Sequence, residues 1–216
     1  MLTRSDETIA NCLDIWDSIE DVGLQHAGFK DVGVDVPTLM ELNRRMHDRG
    51  VTTYLEVVST SPHACVQSAR AAVQIGVDRL MGGQHLAETL RILEGTGIEY
   101  LPFPGEPVGH PTRLAGDAEL VERHCREFDR IGCAGVDLLA YRATTAEPLD
   151  LVRAARRGTN GYLVVAGSVS TPAQIDDLRD AGVDAFTIGS AVFDGSFSPR
   201  TPGLVAQLVA VMDAAG

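Results

Sequence analysis

A helix-ending glycine recurs along the whole chain. Gly23, Gly50, Gly76, Gly97, Gly132, Gly161 and Gly182 each close an amphipathic stretch and precede a run of strand-forming residues, at spacings of 21 to 35 residues. Glycine ends helices because it enters the left-handed conformation that a Cβ penalises. The runs that follow are LQHAGFKDVG, VTTYLEVVS, VDRLMGG, IEYLPFPG, AGVDLLAYR, YLVVAGS and VDAFTIGS. Strands that alternate with helices make a parallel sheet.

Seven strands are clear in this pattern, and Met1 to Arg4 supplies an eighth, followed by a helix from Ser5 or Asp6, where SDET resembles a capping box. Eight βα units closed by a helix over 202–214 predict an α/β fold of the compact (β/α)8, or TIM-barrel, type. The alternative, an open doubly wound sheet, lacks its glycine signature after the first strand. No linker or composition shift divides residues 1–216, so a single barrel domain is expected.

Charge narrows the partners. Eighteen basic residues against 30 acidic ones give a net charge of −12, which repels phosphate backbones and argues against nucleic acid and anionic membranes. No apolar run reaches a bilayer-spanning length and the first residues lack a secretory apolar core, so a cytoplasmic protein is expected. Cys12, Cys65, Cys125 and Cys133 have neither C-x-x-C nor zinc spacing and read as buried, reduced thiols.

In a barrel, chemistry sits at the carboxyl ends of the strands. Strands 7 and 8 end in Gly167-Ser168 and Gly189-Ser190, and SAVF can begin a short extra helix. Bare backbone N–H groups at two adjacent turns suit a phosphate. The pattern VVAGSVST through AGVDAFTIGSAVF, within residues 161–193, resembles the closing quarter of the ribulose-phosphate-binding barrels. That superfamily includes sugar-phosphate epimerases, hexulose-phosphate synthases and ketogulonate-phosphate decarboxylases. The resemblance implies a small phosphorylated substrate held by Gly167, Ser168, Gly189 and Ser190. Two departures keep the branch open. Strand 3 reads YLEVVST where the decarboxylase branch carries Asp-x-Lys-x-x-Asp, and Lys30, Asp31 and Glu56 stand where the epimerases place metal ligands.

Of the 18 basic residues, 17 are Arg and the single Lys is Lys30, at the end of strand 2. Arginine cannot replace an amine that must lose a proton. Lys30 is therefore a candidate catalytic acid, base or Schiff-base nucleophile. Glu56 is the sole carboxylate within strand 3; facing inward, it must be paired or functional. Neighbouring strands bring it within salt-bridge or proton-relay reach of Lys30. Arg4, Asp31 and Arg142 are candidate substrate-binding residues, and parity leaves open whether Tyr141 or Arg142 turns inward. His63, His85 and His110 read as surface or capping residues. No cofactor is expected and no spacing supports a metal site, although a divalent metal stays an option.

The segment PFPGEPVGHPTRLAGD is a long βα loop that reads as a semi-rigid lid or an ordinary insertion. Asp78, Asp137 and Asp184, in GVD triplets, read as stability features at the strand starts. The expected activity is that of an enzyme on a phosphorylated keto-sugar or keto-acid, through an enolate or Schiff base. A carbon–carbon lyase of the aldolase type is favoured slightly over an isomerase or epimerase using Glu56, with a non-catalytic phosphometabolite binder as the other class. A homodimer is expected.

Overall fold

A computed structural model describes residues 1–59 and 61–216. The chain divides into two compact units, Met1–Tyr100 and Leu101–Gly216. In the first, strands β1 (Thr3–Arg4) and β2 (Glu7–Thr8) precede helix α1 (Cys12–Ile19), β3 (His26–Lys30), α2 (Val36–Asp48), β4 (Thr52–Val57), α3 (Pro62–Ile75), β5 (Arg79–Gly82) and α4 (Leu86–Leu93). Strand β6 (Glu99–Leu101) follows, and the sheet order is β3-β4-β5-β6. β3, β4 and β5 pair in parallel, with Lys30 opposite Glu56 and Glu56 opposite Met81. Phe29, Leu55 and Leu80 are fully buried; alternation along each strand sends them to the face away from Lys30 and Glu56.

The helices start where the sequence can cap them. Asp35 Oδ1 accepts from Thr38 N at 3.0 Å ahead of α2, and Ser61 Oγ accepts from Ala64 N at 3.3 Å ahead of α3. In both, proline occupies the first turn, where its missing N–H costs nothing. Asp78 serves the amino end of the sheet as expected: its Oδ2 accepts from Thr53 N at 2.7 Å and lies 3.0 Å from His47 Nε2.

In the second unit a hairpin of β7 (Glu106–Val108) and β8 (Arg113–Ala115) leads to α5 (Ala118–Ile131), β9 (Gly135–Leu138), α6 (Pro148–Gly158), β10 (Tyr162–Val165), α7 (Pro172–Asp180), β11 (Ala185–Phe186), α8 (Ser190–Phe193) and α9 (Leu204–Ala215). The sheet order is β11-β10-β9, with parallel pairing throughout. Asp184 Oδ2 accepts from Leu163 N at 2.8 Å and from Arg156 Nη1 at 2.9 Å, again at strand starts. Asp137 differs: it lies within β9 and is fully buried.

Three local expectations need correction. The opening segment is an antiparallel hairpin, Thr3 opposite Thr8 and Arg4 opposite Glu7, and no helix begins at Ser5 or Asp6. Ser5 (φ +52°) and Asp6 (φ +63°) are both left-handed, which makes a two-residue turn instead of a helix cap. Strand β9 stops at Leu138, and Tyr141 and Arg142 belong to a 3-10 turn over Ala140–Arg142, because Arg142 N donates to Leu139 O and Ala143 N to Ala140 O. The proline-rich loop carries the β7–β8 hairpin.

Candidate active site

In the first unit three ionisable side chains meet. Lys30 Nζ donates to Asp6 Oδ1 at 2.9 Å and lies 3.1 Å from Glu56 Oε1. The side chains are 6%, 5% and 7% exposed respectively. The Lys30–Glu56 pair follows from the β3–β4 register. Asp6 is the residue that sequence reasoning missed, and it arrives through the hairpin turn. Non-glycine residues with positive φ are uncommon, and Asp is among those that tolerate it best. Two in succession are a local strain held by the surrounding structure, of a kind that gathers at functional sites.

The hairpin also grips the Lys30 backbone. Thr8 Oγ1 donates to Lys30 O and accepts from Lys30 N, both at 2.8 Å. Thr8 N donates to Val32 O at 2.9 Å and Leu2 N to Gly28 O at 2.7 Å. Gly33 is required beneath this contact, since a Cβ there would lie 2.2 Å from Thr8 O. Lys30 is thus fixed at both its main chain and its ammonium.

Burial pushes the Lys30 ammonium toward deprotonation, but Glu56 and Asp6 together outweigh it and hold the pKa above its ordinary 10.5. The group is a charged ammonium at neutral pH. It can polarise a carbonyl oxygen or stabilise an enolate; it is not a ready nucleophile. Asp31, next in sequence, is engaged elsewhere: Oδ1 accepts from Val58 N at 3.0 Å and Oδ2 from Ser68 Oγ. Arg4 is exposed on the hairpin, and His63 and His85 are exposed.

In the second unit the candidate anion site is made of backbone. Val164 pairs with Ala185 and Val165 with Phe186, and Thr187 N continues the ladder to Val165 O at 2.9 Å. This register sets Gly167-Ser168 and Gly189-Ser190 on neighbouring strand ends. Gly167 (φ +77°) and Ser168 (φ +65°) form a left-handed turn, so successive N–H groups point one way, as at a helix start. Among the described residues, no acceptor takes the N–H of Gly167, Ser168, Val169, Gly189 or Ser190. Val169 is only 3% exposed, and buried N–H groups are rarely left so.

Arg142 lies across this turn. A Cβ on Gly167 would stand 2.5 Å from Arg142 Nε and 2.8 Å from its Cδ, so glycine makes the space that the guanidinium stem fills. Arg142 Nη1 donates to Thr112 O at 3.2 Å. Tyr141, the competing neighbour, has its hydroxyl buried with no hydrogen-bond partner among the described residues, and its pKa is raised by burial and then by Asp177. His110 is exposed. The four cysteines are buried and free, and burial pushes Cys125 and Cys133 up to about 12. No three His, Cys, Asp or Glu among the described residues are grouped to hold a metal ion, and no helix is long and apolar enough to cross a membrane.

No family model matches the chain, and no curated protein sequence does. Solved structures do. Orotidine 5'-phosphate decarboxylase from Pyrococcus horikoshii is similar over 94% of this chain and 92% of its own, with a TM-score of 0.67 at 15% identity. A structure described as native KDPGal is similar over 97% of this chain and 92% of its own, with a TM-score of 0.67 at 14% identity. N-acetylmannosamine-6-phosphate 2-epimerase from Clostridium perfringens covers 98% and 89%, with a TM-score of 0.63 at 9% identity. The likeness establishes the α/β barrel fold; a fold of this kind hosts many reactions.

Proposed function

We propose that the chain is an enzyme acting on a small phosphorylated carbonyl compound, of the keto-sugar phosphate class, by proton transfer through an enolate. The observation that carries this reading is the charged Lys30 between Asp6 and Glu56. The ammonium stabilises the negative charge that develops on the carbonyl oxygen. Glu56 moves the proton at the adjacent carbon, as isomerases and epimerases require. Support for a phosphorylated substrate comes from the second unit, whose Gly167-Ser168 and Gly189-Ser190 turns, with Arg142 as a side-chain cation, offer donors of the kind a phosphate takes. Two of the structural neighbours are described as an orotidine 5'-phosphate decarboxylase and an N-acetylmannosamine-6-phosphate 2-epimerase, which supports a sugar-phosphate enzyme.

A Schiff-base aldolase is the second reading, since Lys30 is the chain's single lysine. It asks for a neutral amine, and two carboxylates at 2.9 and 3.1 Å oppose one. That weighs against the slight preference for an aldolase that the sequence alone suggests.

Incubation with a panel of ketose and aldose phosphates in deuterium oxide tests the choice. The expected result is deuterium at the carbon next to the carbonyl, slowed by roughly 100-fold or more in Glu56→Gln. Borohydride should leave no adduct on Lys30. A reduced adduct mapped to Lys30, or exchange unaffected by Glu56→Gln, would overturn proton transfer. Phosphate binding without turnover of any member would favour a non-catalytic binder.

A further inference from the structure

The loop between Ser168 and α7 is organised by one side-chain oxygen. Gln174 Oε1 accepts from Ser170 N at 2.8 Å and Thr171 N at 3.1 Å, with both hydroxyls, Ser170 Oγ and Thr171 Oγ1, at 3.3 Å. In return Thr171 Oγ1 accepts from Gln174 N at 3.3 Å, which completes a reciprocal capping box. A cap needs one of these backbone bonds; Gln174 makes two, in consecutive residues, and both hydroxyls converge on the same atom.

The division of N–H groups along the loop is the telling feature. Those of Ser170 and Thr171 are taken by Gln174, whereas those of Gly167, Ser168 and Val169 donate to nothing among the described residues. The boundary falls between Val169 and Ser170. Gln174 pins the chain immediately after the three unengaged donors, and Ala166 N, bonded to Leu138 O at 3.0 Å, pins it immediately before them. A short segment clamped at both ends keeps its strained left-handed pair, Gly167-Ser168, in one conformation.

We infer that Gln174 is a positioning residue for the anion-binding turn: it does not touch the phosphate but orders the backbone whose N–H groups do. This rests on the reading of Gly167-Ser168 as a phosphate site. It adds that affinity depends on preorganisation from α7, because donors already fixed in direction need no ordering when the ligand arrives. The side chain also draws two competing N–H groups away, which confines the anion to the Gly167–Val169 segment.

The test compares Gln174→Met, which keeps length and loses the acceptor, with Gln174→Glu, which keeps an acceptor for the same donors. Inorganic phosphate is titrated calorimetrically at fixed ionic strength, and amide hydrogen exchange is followed from Gly167 to Thr171. Gln174→Met is expected to weaken phosphate binding about tenfold or more and to speed exchange at Ser168 to Thr171. Gln174→Glu is expected to keep exchange slow. A role confined to capping α7 would lower the melting temperature of Gln174→Met yet leave phosphate affinity at the wild-type value, and that result overturns the inference. Should the wild type bind no phosphate, the phosphate reading fails by itself, and the exchange data still decide the positioning claim: equal exchange in wild type and Gln174→Met refutes it. Gln174→Ser, too short to reach the loop, supplies the same comparison if the methionine variant does not fold.

Discussion

The two candidate centres are built from different materials. In the first unit the work falls to side chains: an ammonium and two carboxylates, each at most 7% exposed, satisfying one another within about 3 Å. In the second unit it falls mainly to the main chain, where five N–H groups on two turns have no acceptor among the described residues and Arg142 lies across one of the turns. The first arrangement is closed and stabilises the protein as it stands. The second leaves its donors without an acceptor among the described residues. Removing the lysine would leave two buried carboxylates without their cation, whereas a backbone turn can lose a ligand without harm to the fold.

The sharpest way to break this contrast is to remove Lys30. Lys30→Met leaves Asp6 and Glu56 buried without their cation, and about 3–5 kcal/mol of unfolding free energy is expected to go, read by urea denaturation. Ser190→Ala on the other turn should stay within about 0.5 kcal/mol of wild type in the same experiment. Comparable losses in the two variants would erase the distinction.

Changes at the second centre should act on ligand more than on the fold. Gly189→Asp places bulk and negative charge at the proposed anion site, and is expected to remove detectable phosphate binding by calorimetry. Gly167→Ala forces a Cβ to 2.5 Å from Arg142 Nε at φ +77°, and affinity should fall at least tenfold, about 1.4 kcal/mol. Retained affinity in both variants would exclude these turns.

The pH dependence of stability differs in the same sense. Because the folded-state pKa of Lys30 is raised above 10.5, its stabilising contribution is fully present below 10.5 and is lost as pH rises through the higher folded value. The melting temperature should therefore fall in strongly alkaline buffer, and Lys30→Met, already destabilised, should lack that component of the fall. A subtler effect is expected at Ser168, a non-glycine residue at φ +65°. Ser168→Gly should raise stability by about 0.5–1 kcal/mol, since glycine carries no penalty there, while calorimetry reports no gain in phosphate affinity.

Much of this was legible in the residues, and unevenly so. The glycine-punctuated repeat finds the strands of the two larger sheets, because helix ends and buried strands are local signals. Lys30 and Glu56 stand out because a lone lysine and a lone strand carboxylate are unusual in type, and strand pairing then brings them together. Asp6 was hidden because its position depends on two successive left-handed non-glycine residues, which no propensity favours; read locally, SDET is a helix start. Its real determinant is the tertiary bond of Thr8 to the Lys30 backbone. The turn glycines were visible by composition, but the place of Arg142 was not, since β9 gives way to a 3-10 turn that breaks the alternation on which parity relies. Gln174 was equally quiet, an ordinary helix residue until its four donors are seen.

The charge state of Lys30 decides between polarising cation and Schiff-base nucleophile, and the chain offers a direct view of it. With one lysine in 216 residues, isotopic labelling of lysine gives a single side-chain signal in the nuclear magnetic resonance spectrum, free of overlap. Titrated from about pH 6 upward, that signal is expected to report an ammonium past pH 10.5, and to titrate at lower pH in Asp6→Asn, where one of its two carboxylate partners is gone. A midpoint near neutrality in the wild type, unmoved by Asp6→Asn, would contradict the charged cluster and restore Lys30 as a nucleophile.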